Sequence, residues 1–333
     1  MTETRYDVLG LGNAIVDVIA RTEDDFLAKH KLNKGAMTLI EEARAEALFQ
    51  SMGPAEIISG GCAANTASGV ASLGGRAAFI GKVRQDTLGE LFAQNIRAFG
   101  VDFETLPATS GPATARSFIM VTPDGERTMN TYLGACQGLG PDDVAERAVT
   151  MSAFIYLEGY LWDPPLAKEA FRKAAEIAHG AGRKVALTLS DAFCVDRYRD
   201  EFMELLRSRV VDILFANEHE LKSLFTTEDF ETAVAALRDM GALGVVTRGA
   251  NGAMTVTRED TVAVPAFPIE RLVDTTGAGD LFAGGFLFGL ARGFPEKECL
   301  RLGTLAAAEV IQHIGARPQR SLKELAEQEG LAG

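Results

Sequence analysis

Between Leu281 and Ala291 the chain carries no charge, and Leu281, Phe282, Phe286, Leu287, Phe288 and Leu290 cover every face of the helix expected there. A helix apolar all round has to be enclosed by other elements, so the chain must build a layered core around it. One charge, Asp280, opens the stretch, and a carboxylate at a buried helix start is costly unless something compensates it. The helix dipole favours an acid there by about 0.3–1 kcal/mol, but it does not explain Gly277-Ala278-Gly279 just before it. Three small residues let a ligand approach the backbone and leave the first N–H groups bare. Bare N–H groups at a helix start bind anions, phosphate above all. With Asp280 beside them, they suggest phosphate chemistry with its own base.

At 333 residues the chain is long enough for such a core, as one large domain or one large and one small. Its net charge of −13 argues against nucleic acid or an anionic membrane surface as a partner. A polyanion held locally by backbone N–H groups and a metal remains compatible with that charge. Cys62, Cys136, Cys194 and Cys299 form no C-x-x-C pair, and His30, His179, His219 and His313 show no metal spacing, so zinc is not expected. Separated thiols, no signal-peptide pattern and no apolar run long enough to span a bilayer make a cytoplasmic protein the expectation.

Around the apolar helix, short apolar strands alternate with helical stretches. AFIYLEG, KVALTLS, DILFAN and LGVVTRG read as buried strands, and PPLAKEAFRKAAEIAHGAG, RDEFMELLRSRV and FETAVAALRDMG between them carry helical spacing. This is the pattern of an α/β fold with a mostly parallel sheet sandwiched by helices. Two pieces break the rhythm. AIVDVIART with AMTLI, and ATARSFIMV with ERTMNTYL around a PDG turn, read as antiparallel strands. The economical organisation is a large α/β domain (1–14, 41–100 and 134–333) bearing a small β-sheet lid made of two insertions, 15–40 and 101–133.

Four further stretches carry candidate chemistry. VLGLGNAIVD resembles a dinucleotide fingerprint, but Ile15 stands where the third glycine belongs and a strand follows instead of a helix. Asn13 and Asp17 there read better as polar groups where the chain leaves the main sheet. Asp17 would be satisfied by substrate hydroxyls or by capping local backbone. SGGCAAN places Gly60-Gly61 before a helix with Asn65 one turn inside, as a ligand-facing turn or a tight strand–helix junction. FANEHELKSL sets Asn217 and Glu220 three apart after a strand, suited to organising hydrated Mg²⁺ or to capping the helix. TRGANGA, with Thr247, Gly249 and Gly252, follows another strand as a turn over a nucleotide or a plain hairpin.

Taken in order, the Gly-Gly-x-x-x-Asn turn, the N-x-x-E element and D-T-T-G-A-G-D resemble the ribokinase-like carbohydrate and nucleoside kinases, the PfkB family. The resemblance spans nearly the whole chain, and no Walker P-loop or protein-kinase motif set competes with it. It implies an α/β sandwich with a β-sheet lid, and transfer of the γ-phosphoryl group of ATP to a primary hydroxyl. Asp280 would be the catalytic base and the N–H groups of Gly277, Ala278 and Gly279 the anion hole. Asn13, Asp17, Gly60, Gly61 and Asn65 would hold the acceptor. Asn217, Thr247, Gly249 and Gly252 would line the ATP site, with Arg127 reaching phosphate from the lid. Glu220 would hold Mg²⁺ through water, and main-chain oxygens of Asp274 and Thr276 a potassium ion.

Within the family, GNAIVD and GGFLFGL resemble the adenosine kinases, and Cys62 stands where ribokinases carry Lys; Thr276 departs from the D-T-N-G-A-G-D of the eukaryotic adenosine kinases. Adenosine, phosphorylated at its 5′-hydroxyl to AMP, is therefore the expected acceptor. A ribokinase- or fructokinase-like activity is the alternative, and a non-enzymatic sugar- or nucleotide-sensing module a third. Tyr160 and Trp162, just past a strand, would stack the base or else pack the core. The resemblance allows a monomer or a homodimer.

Overall fold

The computed structural model describes residues 4–331. In chain order its strands are β1 (Tyr6–Leu11), β2 (Ile15–Arg21), β3 (Met37–Leu39), β4 (Glu56–Gly60), β5 (Ala77–Ile80), β6 (Val101–Phe103) and β7 (Ala115–Val121). They continue with β8 (Arg127–Tyr132), β9 (Ser152–Glu158), β10 (Lys184–Thr188), β11 (Ile213–Asn217), β12 (Leu243–Thr247), β13 (Ala253–Val256) and β14 (Thr261–Val264). Nine of them form a sheet in the order β14-β13-β12-β11-β10-β9-β1-β5-β6. From β6 to β12 every pairing is parallel, and β13 and β14 close the edge as an antiparallel meander. Parallel strands are buried on both faces, which is why ILFAN and LGVVT read as continuous apolar runs. From β1 the chain winds first toward β6 and later, from β9, toward β14. The crevice between the C-terminal ends of β1 and β9 is therefore the switch point where open α/β sheets bind ligands.

The small sheet has the order β3-β8-β7-β2-β4. β7 and β8 form the expected antiparallel hairpin, but β2 lies parallel to β7 and β3 parallel to β8. Its membership also differs from the expected segments. β4 pairs antiparallel with β2, so the first piece runs on to Gly60, and β6 is the edge of the large sheet beside β5, so the second begins at Ala115. EIISG is short and merges into the glycine turn, which hides its pairing. VDF follows the helix Thr87–Ala98 as the return of a β–helix–β crossover, the rule that assigns it to the large sheet. The helix Glu42–Ser51 covers the small sheet, with Phe49 against Phe118.

The apolar stretch forms the helix Ala278–Ala291, enclosed as its composition requires. Leu281, Phe282, Phe286 and Leu287 are fully buried. The glycine pair explains how two helices approach it. A Cβ at Gly284 would lie 2.8 Å from Thr66 O of the helix Cys62–Ser72. One at Gly285 would lie 2.5 Å from Leu302 O of the helix Glu296–Val310. Both obstacles are backbone, which cannot swing aside. Alanine is normally the better helix residue by about 0.5–1 kcal/mol, yet Gly285→Ala should destabilise the protein by about 1–3 kcal/mol through overpacking. Urea unfolding reads this directly, and an unchanged or raised midpoint would show that the helices part without cost.

Candidate active site

Gly277 adopts φ +80°, in the left-handed region, and turns the chain into the helix. Ala316 packs where its side chain would be. No side chain caps the helix start. Among the described residues the N–H groups of Gly277, Gly279 and Asp280 have no partner, whereas that of Ala278 donates to Thr275 O at 3.2 Å. The bare donors are thus Gly277, Gly279 and Asp280, and the expected contribution of Ala278 is already engaged. Gly279 has open space around it.

Asp280, one residue further, accepts a hydrogen bond from Asn65 Nδ2 at 2.8 Å. Burial pushes its carboxyl up to about 6, opposed by hydrogen bonds from Asn65 and the Cys62 thiol and by the charge of Arg317. Asn65 is 4% exposed and its Oδ1 has no partner. Asp17 projects from β2 over the glycine turn, and a Cβ at Gly60 would lie 2.2 Å from its Oδ2. Gly61, at φ +96°, leaves no room either, since a Cβ there would meet Asn13 O at 2.1 Å. The Asp17 carboxylate makes no hydrogen bond among the described residues and is pushed up to about 7 by burial, with Arg317 and Arg127 opposing and Asp280 adding. One carboxylate and one amide oxygen therefore stand without donors beside Asp280. This constellation can receive vicinal hydroxyls.

Two residues here carried little signal in the sequence. Glu158, the last residue of β9, is 1% exposed and spans the switch-point crevice. It accepts from Asn13 Nδ2 at 2.7 Å, Asn13 N at 3.3 Å and Ala63 N at 2.9 Å. The Asn13 amide nitrogen is thereby engaged by Glu158. A lone Glu ending the run AFIYL was the only available hint. Arg317, in the loop after the helix Glu296–Val310, is buried against the same glycine turn. Nothing in GARPQR marked it.

Trp162 takes the second of its two expected places, the core. Trp162 is fully buried between Phe171 and Phe202, with its Nε1 on Glu201, because an indole of that size fills the space under two helices. Tyr160 is half-buried and donates its hydroxyl to Asp191 Oδ2 at 2.9 Å. It lies near Cys62 and Glu220, beside the cleft, with its ring packed against the core.

On the nucleotide side, Asn217 and Glu220 form a reciprocal capping box. Asn217 Oδ1 accepts from Glu220 N at 2.9 Å, and Glu220 accepts from Asn217 N at 2.9 Å and from its Nδ2. Burial pushes Glu220 up to about 7, against the hydrogen bond from Asn217 N. Among the described residues no three His, Cys, Asp or Glu converge as a metal cage. The buried carboxylate of Glu220 suits Mg²⁺, an ion that takes one or two protein carboxylates and keeps several waters. Thr247 ends β12, and Gly249, at φ +54°, faces open space as a surface for a nucleotide would. Gly252 is a glycine for another reason: a Cβ there would meet Val264 O at 2.0 Å, so it serves the meander.

Arg127, at the start of β8, pairs with Asp274 and donates from Nη1 to Thr276 Oγ1 at 3.1 Å. Its Nη2, the atom paired with Asp274, is buried and makes no hydrogen bond among the described residues. Asp274 also accepts from Thr276 N at 3.0 Å and Gly315 N at 3.1 Å, so its side chain is spent within the loop. Any potassium ion would have to use main-chain oxygens.

Residues 52–322 match the family described as pfkB family carbohydrate kinase. The chain belongs to the pfkB family. It is a kinase, and ATP is its phosphoryl donor. The crystal structure of adenosine kinase from Sinorhizobium meliloti is 56% identical and superposes with a TM-score of 0.91 over 98% of this chain and 99% of that one. A probable sugar kinase from Rhizobium etli is 54% identical, with a TM-score of 0.93 over the same shares. Adenosine kinase 2 of Arabidopsis thaliana is 26% identical over 94% of this chain and 96% of its own length. The ribokinase-like architecture, a large mostly parallel sheet flanked by helices with a second small sheet, is the one expected from the sequence.

For a pfkB kinase this geometry makes Asp280 the candidate base. It must be ionised to accept a proton, so kcat/KM should fall as pH drops through about 6. Asp280→Asn should lower kcat at least ~10²-fold while nucleotide binding, measured by calorimetry, survives. Gly279→Val fits the open space and should leave the melting temperature near wild type. Its side chain should hinder phosphate approach to the bare N–H groups and cost about 2.7–4 kcal/mol in kcat/KM, as much as one lost oxyanion donor. Wild-type turnover in Asp280→Asn removes the base, and an unchanged kcat/KM in folded Gly279→Val removes phosphate from this helix start.

Proposed function

We propose that the protein transfers the γ-phosphoryl group of ATP to the 5′-hydroxyl of adenosine, yielding AMP and ADP. The observation that carries this reading is the convergence of Asp280, Asn65 and Asp17 at one mouth, beside the bare start of the helix Ala278–Ala291. The ribose 2′- and 3′-hydroxyls would donate to the Asp17 carboxylate and Asn65 Oδ1, the two acceptors left without donors. That arrangement presents the 5′-oxygen to Asp280.

A carboxylate near 6 cannot ionise an alcohol beforehand. Asp280 therefore accepts the proton late, as the new P–O bond acidifies the hydroxyl and the bond to the ADP oxygen breaks. The N–H groups of Gly277 and Gly279, with Arg127, would hold the transferring phosphoryl oxygens. Mg²⁺ would neutralise phosphate charge, its waters held by Asn217 and Glu220. Potassium, on main-chain oxygens of residues 274 and 276, would brace the loop that presents those N–H groups. Its four unpaired thiols suit a reducing cytoplasm.

Adenosine is favoured over a free sugar because both the Sinorhizobium protein and the Arabidopsis relative matched over nearly the whole chain are described as adenosine kinases. The Rhizobium protein described as a probable sugar kinase sustains the second reading, a sugar acceptor in the same mouth. An ADP-release assay with ATP and Mg²⁺ separates them. Adenosine should exceed ribose and fructose in kcat/KM by at least about tenfold, or roughly 1.4 kcal/mol. Turnover of ribose or fructose with adenosine inert would reverse the acceptor and leave the phosphotransfer intact.

A further inference from the structure

The buried guanidinium of Arg317 has an unusual set of partners. It is 4% exposed, and all five of its N–H groups are used, every one on a neutral acceptor. Nε and Nη2 donate to Ser59 O at 3.0 and 2.9 Å, and Nη2 also to Ser59 Oγ at 3.1 Å. Nη1 donates to Ala64 O and Ser68 Oγ. Phe99 lies under the guanidinium, 5.3 Å from its carbon to the ring centroid. Among the described residues no carboxylate lies within ion-pair distance of it. A buried cation without an adjacent anion is costly, and the charges that offset it are Asp17 and Asp280.

The neighbours of Arg317 in sequence extend the pattern. Gly315 N donates to Asp274, and Ala316 fills the space beside Gly277. Three consecutive residues thus touch the start of the phosphate loop, the glycine turn that floors the acceptor site and the helix that carries Asn65.

We propose that Arg317 is a positioning residue for the phosphoryl transfer: it clamps the Ser59–Gly61 turn to the Asn65 helix, and its charge balances the two carboxylates that face the acceptor. The proposal rests on the reading of Asp280 as base and Asp17 as acceptor ligand. The other titratable groups around the pair are Cys62 on the same helix, Arg127 on β8, Tyr156 and Glu158 on β9, and Glu220 after β11. Only Arg127 among these is cationic, and it is paired with Asp274. Arg127 acts on Asp17 as well, but Arg317 is the cation that acts on both Asp17 and Asp280.

The test is the pH profile of kcat/KM for adenosine phosphorylation in wild type, Arg317→Gln and Arg317→Lys, with folding checked by circular dichroism. Wild type should show an acid limb. Its absence would overturn the proposed base and this proposal with it. In Arg317→Gln the limb should move up by about one pH unit, a loss of about tenfold on the acid side. Arg317→Lys keeps the charge but cannot make five bonds, so its limb should stay in place while KM for adenosine rises several-fold. A folded Arg317→Gln with an unmoved limb overturns the proposal, as does a limb displaced equally in Arg317→Lys. If Arg317→Gln fails to fold, Arg317→Lys decides alone: a limb in the wild-type position with KM for adenosine raised several-fold supports the proposal, and a displaced limb or an unchanged KM defeats it. A merely structural arginine would change stability and leave the limb where it was.

Discussion

The close packing of the helix Ala278–Ala291 at Gly284 and Gly285 holds the catalytic geometry in place. Two neighbouring helices bring backbone against these glycines, so close contact fixes the spacing of the central helix from both. Its first turn, with the bare N–H groups and Asp280, inherits that fixity. One of the neighbours, Cys62–Ser72, carries Asn65 on its own first turn, so the Asn65–Asp280 hydrogen bond is set by the contact of two rigid bodies. An apolar helix is thus the means by which a polar group is placed accurately. Preorganised donors of this kind need no rearrangement when charge develops on the phosphoryl oxygens.

The electrostatics of the cleft follow from the same enclosure. Asp17, Glu158, Glu220 and Asp280 are all held above ordinary carboxylate values, with burial the largest cause for each. A raised value in the folded state means that the ligand-free protein binds these protons more readily than the unfolded chain does. The cost of burying the charged forms is therefore fully present above about pH 7, where Asp17, Glu158 and Glu220 are ionised, and is relieved as pH falls. Ligands that bring hydroxyl donors and a metal would relieve it by another route.

The parts of this arrangement that were legible in the sequence are those written in local patterns. The all-apolar helix, the glycine turn before Asn65 and the alternation of strand and helix each follow from a few adjacent residues. What stayed hidden is long-range. The pairing of β4 with β2 is a matter of register between distant segments, and EIISG has too little alternation to announce it. Glu158 meets Asn13 only because β9 returns beside β1, and Arg317 meets Ser59 across most of the chain. Between the two places open to Trp162 the sequence could not choose: it follows a strand end as Tyr160 does, but burial volume rather than position decided where the indole went.

The membership of β4 in the small sheet bears on how water is kept from being an acceptor. Gly60 ends β4, Asp17 lies over it from β2, and the helix bearing Asn65 starts two residues on. The groups that would recognise a ribosyl diol therefore straddle the junction between the two sheets. A molecule with hydroxyls on both sides of that junction would bond to both sides at once. A lone water has nothing with which to bridge them. Discrimination against hydrolysis would then be a matter of reach, since a nucleophile too small to span the junction cannot assemble the site that would activate it.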